Sequence, residues 1–313
     1  MARNSIVYAP TGSSNRARQY SWHGGLNPRD LSLVTRADFK GVKSRYFNIV
    51  EGGNKFARST YTIGFEVEKT DINSSARKEY ALFKGYESDS SLDDEGGDSG
   101  EAITNILPLV PMGYLRNKVM NMIVNASPVL DSPVNLSCGG HITIRVDGLT
   151  SSQLRERMKK HAGIIYALYK GRLKRSTCNA NMYLLASGTR RGVTTTKSGG
   201  LLEWRIPSAV STTGALIRRY ELFFELVDIA VNSPTARFNT AINRVRPILE
   251  RMYTLRNGNI DSPKVNAIID HAIDFQKLID TGRCTDLIYP LLPDYAISNS
   301  NDYSHPLGFT RIS

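Results

Sequence analysis

Cysteine is scarce in this sequence of 313 residues, which contains three thiols, at Cys138, Cys178 and Cys284. An odd and widely spaced set cannot form a closed disulfide framework, and this favours a reducing compartment. The sequence also lacks a run of about 18 apolar residues that would span a membrane, and its first residues lack the apolar middle of a secretory signal. We therefore expect a cytoplasmic protein with no membrane partner.

Several common nucleotide and metal motifs are absent as well. The sequence contains no G-x-G-x-x-G, no Walker A motif and no paired C-x-x-C. Dinucleotide-binding, P-loop and zinc-ribbon interpretations therefore lose their usual support. The composition, with 41% hydrophobic and 22% charged residues, is that of a chain that folds and buries a core, and it excludes a disordered tail.

Acidic residues are fewer than basic ones, with 29 Asp and Glu against 40 Lys and Arg, which gives a net charge of +11. Such a balance suggests a nucleic-acid partner. Seven of the acids, however, lie between Glu87 and Glu101 with no base among them. Because carboxylates bind Mg²⁺ while Lys and Arg bind phosphates, this distribution also suits a metal ion facing a polyphosphate. A solvated acidic loop is the plainer alternative.

The chain is predicted to consist of an extension and one main domain. Residues 1–58 form a basic N-terminal extension rich in Arg, Ser, Gly and Asn, with scattered aromatic residues and little periodicity. Residues 59–313 form the main domain, with a sheet core at about 59–210, a mainly helical part at 211–282 and a coil tail at 283–313. We interpret the extension as a solvated arm, and contact with an anionic partner is the alternative.

The predicted elements indicate an α+β fold. Alternating or short apolar runs predict strands at 59–69, 80–86, 101–107, 135–146, 182–186 and 201–206. Helical spacing predicts helices at 109–125, 154–174, 215–231, 236–255 and 263–279. Residues 187–200 are predicted to be a basic loop. This order lacks the regular strand and helix alternation of a doubly wound fold, and so favours an antiparallel sheet.

Charged groups recur on one face of the predicted strands. They are Glu66 with Glu68, Glu101, His141, and Glu203 with Arg205. Convergence of these carboxylates on one sheet face would be costly without cations, because like charges repel and each group must be desolvated. Oxygen-dominated ligands favour Mg²⁺ or Mn²⁺ over zinc. The alternatives are a solvated edge strand, a structural histidine and a surface ion pair between Glu203 and Arg205.

Five short motifs carry a resemblance to the amidoligase family, the carboxylate–amine ligases related to glutamate–cysteine ligase and glutamine synthetase. In chain order they are Gly64-Phe65-Glu66-Val67-Glu68, Asp89-Ser90-Ser91-Leu92, Gly100-Glu101-Ala102-Ile103, Cys138-Gly139-Gly140-His141-Ile142-Thr143 and Leu202-Glu203-Trp204-Arg205. Each motif alone is weak, and the signal is their order between residues 63 and 205. Two positions depart from the family pattern: Thr143 stands where a second histidine is usual, and Ser90 replaces the glycine of Asp-Gly-Ser.

The resemblance implies an antiparallel sheet of the glutamine synthetase type, with helices on one side and a helical C-terminal part, whose concave face holds ATP, Mg²⁺ and a carboxylate substrate. It implies metal ligands at Glu66, Glu68, Asp89, Glu101, His141 and Glu203, with Arg205 and Glu66 acting in catalysis. Arg205 would bind the transferring phosphoryl group, and Arg190, Arg191 and Lys197 would contact phosphate or substrate. The implied reaction forms an amide or isopeptide bond through an acyl phosphate.

The resemblance implies the partners only as a broad class. The carboxylate and amine substrates would be peptides or amino acids, since relatives in bacterial and phage genomes are thought to modify peptides or cell-wall components. A basic nucleic-acid-binding or virion-associated protein without catalysis is the alternative, and it leaves the carboxylates unexplained. A cysteine hydrolase built on Cys138 is the weakest hypothesis, because a strand position three residues from His141 faces away from it.

Overall fold

A computed structural model describes residues 30–50, 55–72, 80–87, 92, 99–135, 137–173, 193–255 and 257–281 of the chain. The chain divides into two compact units. Unit 1 comprises Met1–Asp147 and Ala209–Ile217, and unit 2 comprises Gly148–Ser208 and Arg218–Ser313.

Unit 1 is an α+β structure built on antiparallel strands, as the sequence predicted. Its strands are Leu33–Thr35 (β1), Phe47–Ile49 (β2), Phe56–Ser59 (β3), Tyr61–Lys69 (β4), Phe83–Glu87 (β5), Gly100–Thr104 (β6), Leu107–Pro108 (β7) and Ile142–Val146 (β8). Its described helices are Tyr114–Asn125 (α1) and Ser127–Leu130 (α2), together with two short 3₁₀ helices, Arg36–Phe39 and Ser44–Tyr46. The main sheet has the order β5-β6-β4-β8, and β7 also pairs with β4.

Strand β4 lies between β6 and β8, and its sequence alternates as predicted. Its apolar side chains, at Tyr61, Ile63, Phe65 and Val67, are all at most 2% exposed. Successive side chains on a strand point to opposite faces, so the glutamates of this strand share the other face. The register pairs Phe65 with Ile142 of β8 and Glu68 with Glu101 of β6.

The described residues of the predicted extension, from residue 30 onward, form ordered structure. Strands β1, β3 and β2 make a three-stranded antiparallel sheet in that order. Phe39 and Ala57 from this region are buried in one cluster with Val110 and Leu115. Its apolar side chains explain why a stretch with little periodicity folds, because they pack against residues that are distant in sequence.

Two predicted boundaries in unit 1 were wrong. Helix α1 begins at Tyr114 and not at residue 109, because the Leu109 N–H donates to the Tyr61 carbonyl at 2.9 Å, which continues the pairing with β4. Gly113, with φ +154°, then turns the chain into the helix. Strand β8 begins at Ile142 and not at residue 135. Before it, the Ser137 N–H donates to Asn135 Oδ1 and the Cys138 N–H donates to the Asn135 carbonyl, which are local turn contacts.

Unit 2 is mainly helical. Its helices are Ser151–Lys159 (α3), Ala162–Leu168 (α4), Lys170–Leu173 (α5), Thr213–Asn232 (α6, from Arg218 onward), Phe238–Met252 (α7) and Ser262–Asp280 (α8). Its described strands, Thr194–Lys197 (β9) and Leu201–Trp204 (β10), form an antiparallel hairpin. The predicted loop at 187–200 therefore contains a strand, while the predicted strand at 182–186 and the tail at 283–313 lie outside the described residues.

The predicted helix at 154–174 is broken into α3, α4 and α5, and a distant side chain accounts for the first break. Gln276 of α8 donates from Nε2 to the Lys159 carbonyl at 3.1 Å and accepts from the Gly163 N–H at 3.0 Å. These bonds satisfy backbone groups that the interruption of the helix leaves unpaired. Thr150 caps α3 by accepting from the Gln153 N–H, and Asp261 caps α8 by accepting from the Lys264 N–H.

Among the described residues, no helix has both the length and the apolar character to cross a membrane.

Replacing Gly163 by Ala is expected to destabilise the protein by about 3 kcal/mol. A Cβ atom at this position would lie 2.3 Å from the Ala272 carbonyl oxygen of α8, whereas Ala normally stabilises a helix relative to Gly. Gly64→Ala is the matched control, because its Cβ would meet nothing closer than Thr104 Oγ1 at 3.8 Å. Urea unfolding of both variants measures the difference, and equal stability would contradict close packing of α4 on α8.

His161 is expected to make the protein less stable as the pH is lowered. Its ring is 2% exposed, and neither ring nitrogen has a hydrogen-bond partner among the described residues. Burial, with the nearby charge of Lys160, lowers the pKa of His161 from 6.5 to about 4. The unfolded chain therefore binds more protons between these values, so stability is lost as the pH falls from about 6.5 to about 4, at up to about 1.4 kcal/mol per pH unit.

Urea unfolding at pH 7.5, 5.5 and 4.5 checks this expectation, with His161→Phe as the comparison. The variant keeps a planar ring that does not titrate, so its stability should depend less steeply on pH than that of the wild-type protein. The same pH dependence in both proteins would show that carboxylates alone account for the loss.

Candidate active site

Carboxylates of unit 1 gather on one face of the main sheet. Glu66 and Glu68 alternate along β4, and Glu101 is the direct partner of Glu68 on β6. Directly opposed residues in an antiparallel pair project from the same face. The same register pairs Glu101 with Glu87 of β5. The predicted convergence of Glu66, Glu68 and Glu101 on one face therefore follows from the alternation along β4 and the pairing of β4 with β6.

His141 joins this face from the residue that precedes β8. The Glu66 N–H donates to the His141 carbonyl at 3.0 Å, which extends the pairing of β4 with β8 by one residue. The two side chains also meet, with His141 Nδ1 2.7 Å from Glu66 Oε2. The imidazole is 14% exposed and the carboxylate 25% exposed. The two residues are 75 positions apart, and the sequence motifs placed both in one site without predicting that they touch.

Glu68 is almost buried, at 7% exposure, and its Oε2 accepts a hydrogen bond from the Gly139 N–H at 2.5 Å. A carboxylate that accepts a backbone N–H forms a charge-assisted bond, which is stronger than a neutral one. Gly139 lies two residues before His141. The bond therefore holds the main chain just before His141 against strand β4.

The donor set of this face is suitable for a divalent ion. Three carboxylates and one imidazole match Mg²⁺ or Mn²⁺ better than metals that prefer sulfur. His141 Nδ1 lies at hydrogen-bond distance from Glu66 Oε2, at 2.7 Å, so Nε2 is the ring nitrogen that would coordinate an ion. The residues present therefore fit the ion that the resemblance implies.

A second charged cluster, which we call the hairpin cluster, lies in unit 2 and consists of Lys197, Glu203 and Arg205. Glu203 on β10 is fully buried and forms ion pairs with Lys197 Nζ and with Arg205 Nη1. The ion pair between Glu203 and Arg205, which the sequence left open as an alternative, is present, but its carboxylate is buried, so it is not a surface pair. A buried carboxylate with two cations leaves a net charge of +1, which suits an anion.

Three of the candidate site residues lie outside the described residues: Asp89, Arg190 and Arg191. Their roles stay predictions, and so does the metal-ligand role of Glu203. Thr143, the departure from the family pattern, pairs with Gly64 across β4 and β8 and is half-buried. By alternation it lies on the same face as His141, so this position carries a hydroxyl group in place of an imidazole.

Sequence reasoning missed two contacts that shape the site. The Gly139 N–H was not recognised as a partner of Glu68, although the Gly-Gly pair before His141 was a signal for close backbone approach. Lys69 received no interpretation from the sequence beyond its place at the end of a predicted strand, yet it is fully buried. No local signal distinguishes it from a solvated lysine, because its acceptors lie far away in sequence.

Comparisons with known proteins give remote structural matches. No protein-family model matches the sequence. No curated protein matches it either. The chain is similar to the crystal structure of the complex between the prokaryotic ubiquitin-like protein Pup and its ligase PafA, at 11% identity and a TM-score of 0.32 over 80% of this chain and 72% of that chain. It is also similar to GmaS without ligand, at 12% identity and a TM-score of 0.28 over 75% of this chain and 72% of that chain.

Cys138 is expected to be unreactive in the folded protein. Its side chain is fully buried, and burial raises the pKa of the thiol to about 11, with Glu68 adding to the shift. Because the thiolate is the reactive form, a nucleophilic cysteine needs the opposite shift. Iodoacetamide at pH 7.5 should label Cys138 at least about tenfold more slowly in buffer than in guanidinium chloride.

Peptide mapping by mass spectrometry measures that labelling separately from the other two cysteines. Fast labelling of Cys138 in the native protein would reopen the cysteine-hydrolase hypothesis. Slow labelling would support the prediction that Cys138 is a small core residue.

Proposed function

We propose that the chain is an ATP- and Mg²⁺-dependent ligase that joins a carboxylate to an amine as an amide or isopeptide bond. The observation that carries the proposal is the contact between Glu66 and His141 at 2.7 Å. It joins two motifs of the amidoligase series on a sheet face that also holds Glu68 and Glu101. A lone glutamate or histidine would have a structural explanation, whereas this combination from three separate motifs matches a metal site.

In this proposal Glu66, Glu68, Glu101 and His141 hold divalent ions. When bound, such ions neutralise the negative charge of the ATP phosphates and of the phosphoryl group in transfer. Glu66 has the further task of fixing the imidazole orientation through its contact with Nδ1. Asp89 and Glu203 are proposed as further ligands from the motif series alone.

The hairpin cluster is proposed to bind phosphate. Arg205 offers planar paired donors suited to a phosphoryl group, and Lys197 offers a point charge. Glu203 anchors both cations and leaves one net positive charge for the anion. Arg190 and Arg191 are proposed to add to this function because they precede the hairpin in the same basic stretch.

The proposed reaction has two steps. A carboxylate oxygen of the first substrate attacks the γ-phosphorus of ATP, the bond from that phosphorus to the bridging oxygen breaks, and ADP leaves with an acyl phosphate remaining. The amine of the second substrate then attacks the acyl carbon, loses a proton and expels inorganic phosphate. The substrates are proposed to be peptides or amino acids. The positive charges of the bound ions and of the hairpin cluster would stabilise the negative charge of the phosphoryl group during transfer.

The nucleic-acid alternative stays a prediction from the net charge and from residues 1–58. The first 29 of those residues lie outside the described part of the chain. The described remainder forms a small sheet with a buried cluster. We therefore offer no second function.

Glu66→Gln is expected to weaken Mg²⁺-dependent ATP binding at least about tenfold, which corresponds to about 1.4 kcal/mol. The amide keeps the shape of the side chain but removes the charge that attracts the metal. The fold should persist, because removing one carboxylate from a crowded face relieves repulsion. Calorimetric titration of ATP, with and without excess Mg²⁺, measures the effect, and circular dichroism confirms folding.

Glu156→Gln is the matched control for that experiment, because Glu156 lies on α3 with its side chain 54% exposed. It should bind ATP as the wild-type protein does. Unchanged binding in Glu66→Gln would remove Glu66 from the metal site. Absence of binding in the wild-type protein would overturn the proposed function.

A further inference from the structure

Lys69, at the end of β4, is a fully buried lysine whose ammonium group sits among main-chain carbonyls. Its Nζ donates to the Leu130 carbonyl at 2.6 Å, to the Ser132 carbonyl at 2.8 Å and to the Val210 carbonyl at 2.6 Å. An ammonium group has three N–H donors and no acceptor, so three carbonyls match its capacity. A buried charge of this kind is costly unless such bonds compensate it.

The three carbonyls belong to two stretches of unit 1 that are far from Lys69 in sequence, by 61 to 141 positions. One is the stretch 130–132 at the end of α2, and the other is at Val210, before α6. A second bond links the same two stretches, because Asp131 Oδ1 accepts from the Thr213 N–H at 2.6 Å. Lys69 therefore connects the end of β4 to the junction between residues 130–132 and Val210, whose two stretches also bond to each other.

The segment that starts at this junction leads directly to the candidate metal site. The Thr70 N–H donates to the Pro133 carbonyl at 3.2 Å, and six residues later the Gly139 N–H binds Glu68. Lys69 and Glu68 are consecutive on β4, so they hold the two ends of this segment from opposite faces of the strand. His141 follows two residues after the second anchor and meets Glu66.

We propose that Lys69 is a positioning residue of the candidate metal site, with its ammonium acting as a built-in monovalent cation in a three-carbonyl cage. This inference rests on the proposed function of the Glu66 face. The cage resembles the way in which channel carbonyls replace the hydration shell of a potassium ion. Removing the ammonium leaves three carbonyls facing each other without a donor, so the 130–139 segment moves and His141 loses its place beside Glu66.

Chemical rescue tests this proposal. Lys69→Ala removes the ammonium and leaves room for a small cation, and Lys69→Met fills most of that room without a charge. Mn²⁺ binding, measured by electron paramagnetic resonance, should weaken at least tenfold in both variants in choline chloride. In ammonium or potassium chloride at equal ionic strength, the affinity should return for Lys69→Ala and stay low for Lys69→Met. A surface variant, Lys277→Met, should behave as the wild-type protein does.

Thermal unfolding of the same variants tests the carbonyl cage by a measurement that does not depend on metal binding. The melting temperature of Lys69→Ala should fall by more than about 5 °C in choline chloride and recover in ammonium chloride. If the variant does not fold in choline, refolding yield in each salt takes the place of the melting temperature. No difference between the salts in any of these measurements would overturn the cage.

The outcomes separate the two proposals. Weak Mn²⁺ binding in the wild-type protein, together with ammonium rescue of Lys69→Ala stability, would overturn the proposed metal site and leave the cage in place. Folded Lys69 variants with wild-type Mn²⁺ affinity would overturn the positioning role while the metal site stands.

Discussion

The alternation of side chains along β4 is the constraint on which the candidate site depends. The buried residues from Tyr61 to Val67 fix which face of the strand meets the core. Slippage by one residue would place the glutamates in that core, so the register is strongly specified. Once it is set, pairing with β6 places Glu101 beside Glu68, and pairing with β8 places His141 beside Glu66. The arrangement of side chains at the candidate site is thus a consequence of how β4 packs and pairs.

The two clusters differ in the groups that contact their carboxylates. Glu203 in unit 2 has two cationic partners, Lys197 and Arg205, so its charge is compensated within the hairpin. In unit 1 the contacts described for Glu66 and Glu68 are an imidazole and a backbone N–H, and a third glutamate lies alongside. Three carboxylates on one face repel one another, and a divalent ion is the partner that relieves this repulsion most effectively. The hairpin cluster carries an excess positive charge, which suits an anion.

Local patterns predicted the parts of the structure that local physics determines. Strand β4, the faces of β8, the Thr150 cap and the last helix follow from alternation, helical spacing and capping residues. The errors have non-local causes. The break between α3 and α4 depends on Gln276, more than 110 positions away, and the late start of α1 depends on pairing with β4. The same limit hid Lys69, whose carbonyl partners no periodicity connects to it.

The Gly-Gly pair of the histidine motif has a physical reason in this arrangement. Gly139 and Gly140 are buried, and neither needs a positive φ, so conformational freedom does not explain them. The Gly139 N–H donates to the buried carboxylate of Glu68, with the nitrogen 2.5 Å from Oε2, and glycine permits such a close approach of the main chain. The His141 carbonyl in turn accepts from the Glu66 N–H at 3.0 Å. In the proposed metal site, backbone bonds to β4 would therefore hold the segment that carries the imidazole.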